Sequence, residues 1–106
     1  MTQYLFIYKA PTSQVPSTPE EQQAAMAAWG AWMDKVGPNV VDAGNPVGTS
    51  WTVNAHGAKL GGNTPPVMGY SILEAASIEE ACKLAEGNPM LESGEIEVTP
   101  IVPIEM

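Results

Sequence analysis

At 106 residues the chain has the length of one domain, because two would each approach the lower limit for an independent core. Four lysines, no arginine and twelve acids give a formal net charge of −8, which excludes a phosphate-gripping nucleic-acid binder and makes a neutral or cationic small ligand electrostatically easier than an anionic one. No apolar run approaches the roughly 20 residues that span a bilayer, so no membrane partner is expected.

The first element is a strand from Gln3 to Lys9. Tyr4, Leu5, Phe6, Ile7 and Tyr8 are consecutive bulky strand-formers, a run that predicts burial on both faces. Pro11 and Pro16 among small polar residues make Ala10 to Ser17 a loop. A helix then starts on three agreeing signals: Thr18 as capping hydroxyl, Pro19 at the first helical position, and Glu21 three residues after the cap. Ala25, Met26, Trp29, Trp32, Met33 and Val36 recur at helical spacing and mark its expected buried face. Gly37 is expected to supply a left-handed cap and Pro38 to stop the helix.

Asn39 to Ala43 reads as a second strand broken at Gly44-Asn45-Pro46, followed by an extended stretch from Val47 to Ala55 and a turn at His56-Gly57. Gly61 to Pro66 is too rich in breakers for regular structure. Val67 to Ala75 is strand-like, with Met68, Tyr70 and Ile72 on one side and Ser71 and Leu73 on the other. Ser77 and Glu80 form a second capping box, and Ile78, Ala81, Cys82 and Ala85 give that helix an apolar stripe before Gly87-Asn88-Pro89 closes it. Glu95 to Ile101 alternates as a final strand, and Pro100 marks it as an edge.

This order is the βαββαβ arrangement of an α+β, ferredoxin-like fold with an extra hairpin. Two helices cover one face of such a sheet. An uncovered apolar face is uncommon on a monomer, so a homodimer packed sheet to sheet is expected, with any pocket shallow or shared with the neighbour.

Cys82 is the only cysteine; on the predicted apolar stripe it reads as a small buried residue, and no intrachain disulfide can form. Lys9 follows the opening apolar run without a basic leader before it, which reads against a secretory signal. The expected location is cytoplasmic.

The pieces together resemble the YCII-related family. The likeness lies in the opening Tyr4-Leu5-Phe6-Ile7-Tyr8 strand and in Val41-Asp42-Ala43-Gly44-Asn45-Pro46-Val47 after the first helix. It continues in Met68-Gly69-Tyr70-Ser71-Ile72-Leu73 with Ser77-Ile78-Glu79-Glu80-Ala81, and in Asn88-Pro89 with Gly94 to Ile101. The resemblance implies a homodimer of the dimeric α/β-barrel type, with a cleft near the first helix and the strand after it. Two features of the family are missing: Gly61 to Pro66 stands where one branch has Asp-Gly-Pro-Phe, and the first helix has Met26, Trp29 and Trp32 where some members have a histidine.

Three residues are candidates for chemistry. Asp42 enters a strand of Val40, Val41 and Ala43, where burial of a carboxylate would shift its pKa and suit it to act as base or anchor. The plainer reading is an outward-facing or backbone-bonded aspartate. Tyr70 offers a hydroxyl to donate a proton. His56 alone has an ordinary pKa near neutrality, although Asn54-Ala55-His56-Gly57 also reads as a solvated hairpin turn. Tyr8, Trp29, Trp32 and Trp51 are candidates to line an apolar cleft, with core packing as the alternative for Trp29 and Trp32, and Asn45 to orient a ligand beside Asp42, with a turn role as its alternative. A single histidine and scattered acids predict no metal site, and no phosphate loop or nucleophile elbow supports a cofactor. Two functions compete on these residues: a small-molecule site, extending to a cofactor-independent enzyme, and a non-catalytic dimeric interaction or accessory module.

Overall fold

The computed structural model describes residues 1–11 and 17–104. Their elements run β1 (Thr2–Lys9), α1 (Pro19–Val36), β2 (Val40–Pro46), β3 (Trp51–Asn54), β4 (Gly57–Leu60), β5 (Val67–Ala75), α2 (Ile78–Ala85) and β6 (Glu95–Pro100). Short 3₁₀ turns cover Gly37–Asn39 and Pro89–Glu92. Residues 12–16 of the expected loop lie outside the described residues. No helix among them is long and apolar enough to cross a membrane.

Four strands form an antiparallel sheet in the order β2-β5-β1-β6, and β3 and β4 make a separate hairpin. Two helices and this sheet order fit the ferredoxin-like arrangement expected from the element order. β1 is central, paired to β5 on one side and β6 on the other. That position explains its unbroken apolar run, but the two faces are covered differently. Tyr4, Phe6 and Tyr8 are buried toward the helices, whereas Leu5 and Ile7 are half-buried on the other face. The cross-strand partners of Leu5 and Ile7 on β5 are Ile72 and Tyr70, so these four side chains share the bare face.

Both helix N-caps form as expected, while the reciprocal half of the capping box is altered at the first helix, where Glu21 accepts the Ser17 amide at 3.0 Å. The Glu21 amide donates to Thr18 Oγ1 at 3.1 Å and the Glu80 amide to Ser77 Oγ at 3.2 Å. The core joins Phe6, Tyr8 and Leu73 of the sheet to Trp32 and Val36 of α1 and Ala81 and Ala85 of α2. Full burial of side chains such as Phe6 and Leu73 contributes about 1.5–3 kcal/mol each. Trp32 ties the helices together: its indole N–H donates to the Leu84 carbonyl at 2.9 Å.

Four expectations need correction. Met26 is 75 % exposed and Ala25 half-buried, because α1 packs on the sheet only through its second half, where Trp32 and Val36 are buried. Cys82 is exposed; the buried positions of α2 are Ala81 and Ala85, four residues apart, and Cys82 is turned out beside them. Gly37 is right-handed, with φ −43°, since the chain tightens into the 3₁₀ turn with Pro38 rather than reversing at a left-handed cap. β2 does not break at Gly44 but continues to Pro46 with shifted register, Gly44 taking φ +80°. A Cβ at Gly44 would collide with the Tyr70 carbonyl of the adjacent strand, so glycine is required by both conformation and space.

The hairpin stands apart from the main sheet, and every residue of β3 and β4 is exposed. Its register puts Trp51 with Leu60 and Val53 with Ala58, so one face is apolar and the other carries Thr52 and Lys59. The Cα radius of gyration, 15.1 Å, exceeds the roughly 13 Å of a compact chain this long.

Candidate functional site

Because the first half of α1 is not packed down, a cleft of about 1070 Å³ opens between it and the β2–β5 edge of the sheet. Ala24, Ala25, Met26, Trp29 and Met33 form the helical wall. Gly44, Asn45, Met68, Gly69, Tyr70 and Ser71 form the sheet wall, and Pro89, Met90, Glu92 and Ser93 close one end. Small residues at 44 and 69 keep the floor open; a Cβ at Gly69 would come within 3.1 Å of the Asn45 carbonyl.

Tyr8 anchors the floor. Its ring meets Trp29 edge-on, with centroids 4.9 Å apart, and Trp29 meets Trp32 edge-on at 5.9 Å. The Tyr8 hydroxyl donates to Ser71 Oγ at 2.8 Å, and Ser71 Oγ donates to the Ala43 carbonyl at 2.7 Å. Burial pushes the Tyr8 phenol above its ordinary value of 10.0, and the Ser71 hydrogen bond opposes that only in part. Tyr8 therefore stays neutral at physiological pH and acts as a donor. On the sheet face away from the helices, Asn45 Nδ2 donates to the Tyr70 hydroxyl at 3.3 Å. Beyond the closed end, Asn88 is buried; its Oδ1 accepts the Met90 amide at 2.7 Å, and its Nδ2 has no partner among the described residues.

The fold brings together four of the residues singled out from sequence: Tyr8, Trp29, Asn45 and Tyr70 line the cleft, although the Tyr70 ring itself shares the bare sheet face with Ile7 and Ile72. Trp32 lies beneath it in the core, against Phe6 and Trp29. Trp51 is on the hairpin and 64 % exposed. His56 occupies the hairpin turn, where its amide donates to Asn54 Oδ1 at 2.8 Å. Asp42 is exposed rather than set in a buried wall, and Oδ1 accepts the Gly44 amide at 2.8 Å. It shapes the bend that brings Ala43 to Pro46 along the cleft, and it is not itself among the lining residues. Among the described residues no cluster of three or more His, Cys, Asp or Glu could hold a metal ion.

Ser71, Met68, Met90, Glu21 and Glu92 were not among the site residues expected from sequence, Glu21 being read only as a helix-start residue. Ser71 had a legible signal: alternation in Val67–Ala75 turns it toward the helices, and a buried hydroxyl needs partners. The methionines and glutamates had none, because they come together only through packing.

The chain belongs to the YCII-related domain family, whose model matches residues 1–105. No curated protein matches it. Among solved structures it is similar to 5-chloro-2-hydroxyhydroquinone dehydrochlorinase from Burkholderia phenoliruptrix AC1100, in complex with 2,5-dihydroxybenzoquinone. The identity is 16 %, the TM-score 0.56, and the match covers 91 % of this chain and 89 % of that one. At that identity the likeness establishes shared architecture.

Proposed function

We propose that the chain is a small-molecule-binding protein whose site is the cleft between α1 and the β2–β5 edge. The observation that carries this reading is the cleft itself: about 1070 Å³, walled by Trp29, Tyr8 and methionines, with a few polar groups from Asn45, Tyr70 and Ser71. A mostly apolar concavity with sparse polar atoms is the usual composition of a ligand site. The architectural neighbour, a dehydrochlorinase with a small ring compound bound, supports the same direction. The reaction class to test is cofactor-independent acid–base chemistry, with Tyr70, whose backbone lines the cleft and whose hydroxyl lies on the opposite sheet face beside Asn45, able to donate a proton only if a second copy closes that face into the site. The experiment is an amide chemical-shift titration with a set of small neutral aromatics. Shifts grouped at Gly44, Gly69, Tyr70 and Met90 support the cleft, and shifts scattered over the surface or absent defeat it.

A second copy belongs to this proposal. Leu5, Ile7, Tyr70 and Ile72 on the bare sheet face, and Trp51, Val53 and Leu60 on the hairpin, are the surfaces a homodimer of the α/β-barrel type would cover. The exposed hairpin is also what favours the alternative, a non-catalytic dimeric module. Loss of dimer without loss of ligand binding would separate the two roles. The proposed setting is the cytoplasm.

A further inference from the structure

We propose that the cleft selects its ligand by charge, taking neutral and cationic aromatic molecules and excluding anionic ones; this rests on the cleft being a ligand site. The ionisable side chains on its described lining, apart from tyrosines, are Glu21 and Glu92, and no Lys or His is among them. The chain has no arginine, and its four lysines are all placed elsewhere. Lys9 pairs with Glu97 at 3.2 Å, Lys35 donates to the Glu86 carbonyl at 3.1 Å, Lys59 is on the hairpin and Lys83 on α2. His56 is in the hairpin turn. Residues 12–16, Thr-Ser-Gln-Val-Pro, contain no charge, so they do not alter this balance.

Hydrogen bonding points the same way. An anion needs donors, and those at the floor are committed: the Tyr8 hydroxyl to Ser71, and the Ser71 hydroxyl to the Ala43 carbonyl. Asn45 Nδ2 is directed away from the cleft, to the Tyr70 hydroxyl on the other sheet face. An anion would therefore lose water without a countercharge, facing two carboxylates. A cation meets the opposite setting, with two lining carboxylates and the half-buried Trp29 ring to receive it.

The test uses the whole chain and three probes with the same ring: benzyltrimethylammonium, benzyl alcohol and phenylacetate. Binding is read from the Trp29 indole N–H and the Gly44 and Gly69 amides. The cation should bind about tenfold more tightly than the anion, as expected for two partly exposed carboxylates, and the gap should shrink at high salt. Replacing Glu21 and Glu92 together by Gln should bring the two to within about twofold. Gln at 21 keeps an acceptor for the Ser17 amide, which Glu21 accepts at 3.0 Å, so the helix start is preserved. If phenylacetate binds as tightly as the cation, charge selection is wrong while the cleft stands. If benzyl alcohol and the other two all leave the cleft signals unmoved, the small-molecule reading itself is wrong.

Discussion

Deleting either hydroxyl of the Tyr8–Ser71 pair tests whether the cleft floor is held as described. In Tyr8→Phe the ring and its contact with Trp29 remain, and Ser71 still donates to the Ala43 carbonyl at 2.7 Å. One hydrogen bond is lost, costing about 0.5–1.5 kcal/mol. Ser71→Ala is harsher. Ser71 is 0 % exposed and Tyr8 4 %, so the phenol is left in the core without its acceptor, which costs about 1–3 kcal/mol. The double variant has neither group to leave unpaired. Its cost should fall short of the sum of the single costs by about 1 kcal/mol. Urea unfolding with an unchanged m-value measures all three, and each kcal/mol corresponds to roughly 4–8 °C in Tm for a chain of this size. Additivity within about 0.3 kcal/mol would show that the hydroxyls do not interact in solution. The polar floor would then have to be redrawn.

The same phenol makes a pH prediction. Its folded pKa is raised above the ordinary value of 10.0, so the associated stability is fully present below about pH 10 and is lost as pH rises toward the folded value, the unfolded chain ionising first. Alkaline unfolding curves of wild type should therefore fall more steeply than those of Tyr8→Phe, and parallel curves would contradict the burial. Gly44→Ala should destabilise by about 2 kcal/mol or more, since it combines a positive φ with overlap onto the Tyr70 carbonyl; a thermal melt within 2 °C of wild type, a shift of under about 0.5 kcal/mol, would refute that packing. Trp32→Ala should cost about 3–5 kcal/mol in denaturant unfolding, from its burial and its hydrogen bond to α2. Asp42→Ala and His56→Ala, both outside the cleft in one copy, should leave probe affinity within about twofold; a tenfold loss, about 1.4 kcal/mol, would return them to the site.

Most of the element order was legible in the amino acids because local physics decides it. Thr18-Pro19 with Glu21, and Ser77 with Glu80, specify helix starts through backbone amides only a turn away. Strand β5 followed from its alternation, which also places Ser71 and Leu73 opposite Tyr70 and Ile72. The site was legible in part. Tyr8, Trp29, Asn45 and Tyr70 stood out as aromatic or turn residues, and they meet in the cleft. Asp42 stood out as a charge in an apolar strand, yet the bulge at Gly44 turns it outward to bind its own backbone.

What the sequence determined alone is therefore the helix starts, the strand alternation and a charge balance with very few cations. What the tertiary structure decided is where those parts stand apart. Helical spacing from Ala25 to Val36 describes one continuous apolar face, but the sheet reaches only its second half, and the unmet first half becomes a cleft wall. Periodicity records which side chains share a face; whether anything packs against that face depends on long-range contacts that no local pattern contains.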